Sequence, residues 1–350
     1  MSGQSQTSVC SYTENDFYLT VPRWRDGAQV NLRGFQAGTA FDSQLQLGWN
    51  EAKRKGCFRY DLDNLDTRIL AGKFGFLAQL NINRAQQRRH PQTIQSLTQP
   101  FDHTQFNFTQ IKQDEILFEL RRSQMPSPNR HLVIINVSPL EYCNSLLVPS
   151  IDSLKPQILD ASGLRLAIET VLLSASPSFR VGFNSLCAYA SVNHYHFHIF
   201  YLNAPLYLET VSVAYIANDC YEVCDYAVPG FTFQLENGDI DRLVNAVMRV
   251  VVQLQSLLVA HNVFITRGAA FGEFNPISYS TVRVFLWPRE PADDDKDKTA
   301  FNVACCEISG HLPVKEEAAF HSLCEGQVVD ALRKACEQTY HNVRAKIFNC

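Results

Sequence analysis

Three of the chain's ten histidines, His194, His196 and His198, occupy alternate positions of the segment NHYHFHIFYL. Successive side chains of a β-strand point to opposite faces. A strand here presents all three imidazoles on one side and turns Tyr195, Phe197 and Ile199 toward a core. His196 then has an imidazole on either side. Three chemistries fit such a row. The rings could be structural, satisfied by the backbone of a half-exposed sheet. Neutral imidazoles at i, i+2 and i+4 could share a metal ion with help from a neighbouring strand. Or one ring nitrogen could attack phosphorus while its neighbours orient it and protonate the leaving oxygen. The spacing by itself leaves all three open.

Attack on phosphorus requires positive groups around the phosphate oxygens. The candidates are the Arg88–Arg89 pair and Lys112, all within the polar stretch 84–115. Glu307 and His311 read as structural. The chain has eleven cysteines, an odd number at irregular spacing with no C-x-x-C pair. This argues for reduced thiols in the cytoplasm and against a cysteine zinc site. No metal and no cofactor is expected. Phosphate-binding loops of the P-loop type, dinucleotide fingerprints and esterase elbows are all missing. At 46% hydrophobic, 19% charged and net charge −4, the composition is that of a globular protein without a basic field. Neither nucleic acid nor a membrane is expected as a partner. The N-terminal residues lack the pattern of a secretory signal, and no apolar run approaches a membrane span.

The elements that must position the histidines are partly legible. HLVIINV and SLLVP, joined by a turn-rich connection, predict a hairpin over 131–150. Leu164, Ala167, Ile168, Val171, Leu172 and Ala175 share one helical face, with Ser162 as N-cap and Pro177 as stop. RVGFN and NHYHFHIFYL follow as strands. Ile240 to Leu258 predicts a second amphipathic helix, again followed by two strand-like runs, VFITRG and TVRVFLWPR. FNVACCEIS reads as a further strand, and helical sequence begins near Lys315. Residues 84–115 read as long loops with short strands, and Glu290–Lys298 as a solvated acidic loop. Helix–strand–strand thus occurs twice. The expectation is an α+β fold of two related halves, with antiparallel sheets flanked by helices. Residues 1–16 are expected to fray. Residues 17–350 should form one compact unit, about 17–235 bearing the histidines and about 236–350 degenerate.

The segment GFNSLCAYASVNHYHFHIFYL resembles the His-φ-His-φ-His signature of the histidine-triad superfamily. That resemblance implies that the middle histidine, here His196, is the nucleophile, that His194 supports the site and that His198 fills the third position. The galactose-1-phosphate uridylyltransferase branch has glutamine at that third position, so the chain departs from it at His198. Asn184 and Ser191 stand where that branch places polar residues on phosphate. RRHPQTI, FNFTQI, LLVP, GFNSL, FITRGAA and FNVACCEISGHLPVK, in that order, resemble the animal GDP-D-glucose phosphorylase family, related to the plant GDP-L-galactose phosphorylases. This second resemblance implies two small-molecule substrates, GDP-D-glucose and inorganic phosphate. They would be converted to GDP and D-glucose 1-phosphate through a covalent GMP-histidine. The alternative is a histidine-triad pyrophosphate hydrolase that passes the nucleotidyl group to water. The guanine and the sugar follow from the resemblance alone.

Overall fold

The computed structural model describes residues 7–23, 38–62, 65–123, 128–273, 278–292 and 300–348. The described chain opens with β1 (Val9–Tyr12), β2 (Val21–Pro22) and α1 (Ala40–Arg54). β3 (Thr67–Ile69), β4 (Leu77–Leu80) and the short α2 (Ile82–Gln87) follow. Next come β5 (Ile116–Arg122), β6 (His131–Ile135), β7 (Ser145–Val148), α3 (Ala161–Leu173), β8 (Phe179–Asn184) and β9 (Phe197–Tyr201). A second run comprises β10 (Val213–Ala217), β11 (Cys220–Val223), β12 (Phe231–Gln234), α4 (Ile240–Ser256), β13 (Ala260–Gly268), β14 (Ser278–Tyr279) and β15 (Thr281–Arg289). α5 (Cys305–Ser309), β16 (His311–Val314), α6 (Glu317–Ser322) and α7 (Glu325–Phe348) close it.

Eleven strands form one sheet in the order β1-β5-β6-β7-β9-β8-β13-β15-β12-β11-β10. Two topologies of the same kind lie within it. In the first, β5–β6–β7 meander, α3 crosses, and the β8/β9 pair returns with β9 against β7. In the second, β10–β11–β12 meander, α4 crosses, and β15 returns against β12. β8 and β13 join the halves antiparallel, with Val181 opposite Ile265. The α+β fold of two like halves therefore holds. The second half begins at Val213 rather than near residue 236, because β10–β12 belong to its own meander.

The central strands β13 and β15 are buried along their whole length, since helices cover both faces of the sheet. α3 and α4 pack side by side on one face. Leu164, Ile168, Val171, Val244, Val247 and Val251 close over Phe183, Phe197 and Ile199 there. On the other face Phe200, Phe264, Phe285 and Trp287 pack beneath α5, β16 and α7.

Several expectations need correction. Residues 1–6 lie outside the described residues, but 9–12 pair with β5 as a parallel strand. Cys10 and Tyr12 are buried there, and the Tyr12 hydroxyl donates to Glu169 at 2.6 Å. The α3 N-cap is Asp160, not Ser162; its carboxylate accepts the Gly163 N–H at 2.7 Å and the Ser162 hydroxyl at 2.8 Å. α3 ends at Leu173, so Ala175 lies beyond it and Pro177 only bounds the loop. Leu258 is past the end of α4, in a left-handed conformation, and exposed. FNVACCEIS folds into the helical turn α5, where the Glu307 carboxylate accepts the Ala304 N–H at 3.1 Å. Residues 84–115 carry α2 and two single 3₁₀ turns, with no strand among the described residues. Most of the acidic run, residues 293–298, lies outside the described residues.

Candidate active site

Regular pairing in the histidine segment starts only at Phe197. His194 and His196 lie on the irregular approach to β9. The alternation of sides survives there, because Tyr195 and Phe197 are buried in the helix-covered core. What holds the approach is a clamp from Gln157, a buried residue on the loop before α3. Its Oε1 accepts the His196 N–H at 2.8 Å. Its Nε2 donates to the carbonyls of His196 at 2.9 Å and Asn184 at 3.0 Å. Asn193 accepts the Gln157 N–H at 2.9 Å. Its amide nitrogen donates to the carbonyls of Gln99 and Pro100 at 3.0 and 2.8 Å. The polar stretch 84–115 is thereby tied to the histidine segment.

His196 Nδ1 lies 2.7 Å from the His194 carbonyl oxygen. A carbonyl can only accept, so Nδ1 carries the proton and Nε2 carries the lone pair. Burial pushes the His196 pKa down to about 4, so the ring is neutral at neutral pH. The His198 ring lies 5.5 Å away. Its pKa is held well below the usual value, by burial first and then by His196 and Arg84. A neutral ring with one N–H can donate a hydrogen bond, but it does not arrive as a ready imidazolium acid. His194 does not flank His196 with its ring. That ring stacks on Phe108 with 5.3 Å between centroids, and its Nδ1 accepts the Phe108 N–H at 3.1 Å. Its contribution to His196 is the backbone carbonyl. The His194 ring gives its Nδ1 lone pair to the Phe108 N–H and carries its proton on Nε2, so it has no lone pair to offer an ion. Among the described residues no group of three or more His, Cys, Asp or Glu side chains is placed to hold a metal.

His196 and His198 line a cleft of about 370 Å³, a volume in the range of small-molecule sites. Asn184, Ser191 and Arg89 line it too. Lys112 does not; it is exposed on the turn before β5, where its backbone N–H donates to Glu115. Asn184 Oδ1 accepts from Asn262 Nδ2 at 2.6 Å and from the Cys305 N–H at 3.0 Å, which leaves its own Nδ2 as the donor end. The second of these bonds fixes α5 against β8. The approach needs Gly182, opposite His198 in the β8/β9 pair, because a Cβ there would stand 2.6 Å from Cys305 Sγ.

Three contributors lay beyond the sequence reading. Gln157 sits in an unpatterned loop and gives no periodic signal. Arg84 lines the cleft, and its guanidinium donates to the Ser138 carbonyl. The i, i+4 spacing of Arg84 and Arg88 around one helical turn could have pointed to it. Glu307, read as structural, also lines the cleft. It is nearly buried, makes no ion pair among the described residues, and burial lifts its pKa to about 7.

Known proteins share this chain's sequence or its fold over most of its length. The chain is 43% identical over 332 residues to GDP-D-glucose phosphorylase 1 of Danio rerio, covering 93% of each chain. It is 45% identical over 305 residues to GDP-D-glucose phosphorylase 1 of Homo sapiens, covering 85% of this chain and 79% of the relative. GDP-L-galactose phosphorylase 1 of Arabidopsis thaliana is 30% identical over 348 residues, covering 91% of this chain and 76% of the relative. In fold, the chain matches the crystal structure of yeast Ap4A phosphorylase Apa2. That match has a TM-score of 0.60 at 14% identity and covers 86% of this chain and 95% of the other. The model of the GDPGP1-like N-terminal domain matches residues 40–200 and that of the GDPGP1-like C-terminal domain residues 208–350, so the chain belongs to the GDPGP1-like family.

Proposed function

We propose that the chain catalyses phosphorolysis of GDP-D-glucose by inorganic phosphate, giving GDP and D-glucose 1-phosphate. The observation that carries the chemistry is His196, a neutral imidazole with Nδ1 anchored and Nε2 free on a cleft lined by arginines. The relatives' names supply the substrate. In the first step Nε2 attacks the α-phosphorus. The N–P bond forms, the bond to the bridging oxygen breaks, and its electron pair leaves on glucose 1-phosphate. In the second step a phosphate oxygen attacks the same phosphorus, the N–P bond breaks, and GDP departs. Both steps place charge on phosphate oxygens beside a buried imidazole. Fixed donors such as Arg84, Arg88 and Asn184 Nδ2 stabilise such charge without reorganising. His198 donates a hydrogen bond toward the leaving oxygen, and the His194 carbonyl keeps His196 in its nucleophilic tautomer.

The substrates are small molecules, and the ten described cysteines are all free, which supports a cytoplasmic setting. No helix among the described residues is long and apolar enough to cross a membrane. The test is product analysis of GDP-glucose turnover with and without millimolar phosphate. GDP and glucose 1-phosphate should dominate when phosphate is present. Predominant GMP under the same conditions would assign water as the acceptor and make the chain a hydrolase.

A further inference from the structure

Two arms run from His196 along the cleft. On one side ring contacts lead from His196 to Phe108 at 5.1 Å and from Phe108 to Phe106 at 6.0 Å. The arm ends at Arg89, whose guanidinium carbon lies 3.2 Å over the Phe106 ring centroid. Ile111 and Ile134 complete this apolar wall. On the other side His198 leads to Arg84 and then Glu307, the two groups that act on one another electrostatically. A nucleoside diphosphate sugar read outward from its α-phosphorus also has two arms. Ribose and base go one way, the second phosphate and the hexose the other. The aromatic arm suits a planar purine, and the cationic arm suits phosphate.

Two charged groups stand on the aromatic arm, and each keeps a polar side-chain atom with no hydrogen-bond partner among the described residues. Arg89 Nη1 is buried without a hydrogen-bond partner. Glu115 lines the cleft beside it and gives Oε1 to the Lys112 N–H, and its carboxylate makes no ion pair among the described residues. A buried arginine nitrogen left unpaired is costly until a ligand supplies the acceptor. We propose that Arg89 and Glu115 read the guanine base, Glu115 accepting from N1–H and the 2-amino group and Arg89 donating to O6 and N7. This assigns Arg89 to the base and not to the phosphates, and it rests on the reading that a GDP-sugar occupies the cleft. Guanine offers those donors and acceptors side by side. Adenine would turn the N1 lone pair toward the carboxylate and a 6-amino group toward the guanidinium, leaving Glu115 unpaired and Arg89 only N7 to donate to.

The test measures dissociation constants of GDP, IDP and ADP by calorimetry for the wild type, Glu115→Gln and Arg89→Gln. IDP lacks only the 2-amino group. The wild type should bind GDP more tightly than IDP and ADP. Glu115→Gln should weaken GDP about 10- to 100-fold, the range for a hydrogen bond to a charged group, and bring GDP and IDP within a few-fold of each other. Arg89→Gln should weaken GDP and IDP alike, both of which carry O6 and N7. ADP binding should hardly move in Glu115→Gln and should fall less than GDP binding in Arg89→Gln, which also reports that both are folded. Equal weakening of GDP and ADP would make these residues phosphate ligands or structural groups, and no weakening would remove them from the site; either result overturns the assignment. Failure of the parent reading would appear separately, as no phosphorolysis of GDP-glucose by the wild type.

Discussion

Gln157 is the residue whose replacement tests most directly how the site is held. Its side chain satisfies the His196 N–H and the carbonyls of His196 and Asn184, all in a buried setting. Gln157→Leu conserves most of the volume and removes all three bonds, so cavity effects stay small. An orphaned buried backbone group costs about 1–3 kcal/mol. Three would sum to about 3–9 kcal/mol if nothing relaxed, and water entering from the cleft should bring the loss to about 3–5 kcal/mol. The catalytic effect is separate. Without the clamp, the approach to β9 shifts and Nε2 leaves its line to phosphorus. A misplacement of order 1 Å lowers the rate by about 10²-fold. The assay pairs urea unfolding with kcat/KM for GDP-glucose, measured in buffer where the variant is still folded. A variant within about 1 kcal/mol of wild type and within about three-fold in kcat/KM would refute the positioning role, since no other side chain among the described residues bonds those atoms.

His196→Asn should lower turnover by about 10⁴-fold or more, and quenched wild-type enzyme should carry a GMP adduct on the peptide containing His196, detected by mass spectrometry. His198→Ala should lower it by about 10²–10⁴-fold, since only a neutral hydrogen-bond donor is lost. Stability should fall with acid. His194, His196 and His261 are held down to about 4 and His311 to about 3, all by burial, whereas the unfolded chain takes up those protons near pH 6.5. Glu141 and Glu307, raised to about 7 by burial, act in the opposite sense between about 4.5 and 7. With His198, also held well below its usual value by burial, five protons are taken up by the unfolded state against two held by the native state, which leaves three. Unfolding free energy should therefore drop by roughly 4 kcal/mol per pH unit between pH 6 and 5, and a flat urea midpoint across that interval would contradict the burial of these rings. Activity should survive EDTA, because the His194 lone pair is given to the Phe108 N–H and no group of three or more His, Cys, Asp or Glu among the described residues is placed to hold a metal; loss with EDTA and recovery with zinc or magnesium would show the opposite.

Period-two alternation was enough to place the triad opposite a core of Tyr195, Phe197 and Ile199, because side-chain direction on an extended chain is a local property. The buried faces of α3 and α4 were legible for the same reason at period 3.6. Asn184 and Ser191 lay near enough to the histidines in sequence to share their cleft. Local pattern could not decide what long-range contact decides. Lys112 and Arg89 look alike as cations on a polar stretch, yet one is exposed on a turn and the other lies over Phe106. Glu307 looks like any helix-capping carboxylate until the Cys305–Asn184 bond brings it into the cleft from a segment more than a hundred residues away. Gln157 has no amphipathic partner residues, so its role exists only once β8 and β9 have converged on it. The sequence determined which atoms could do the chemistry. Which ring would be held neutral with Nε2 free, and which charges would face it, was decided by pairings between segments far apart in the chain. Burial and hydrogen-bond satisfaction are properties of those pairings and not of any one segment.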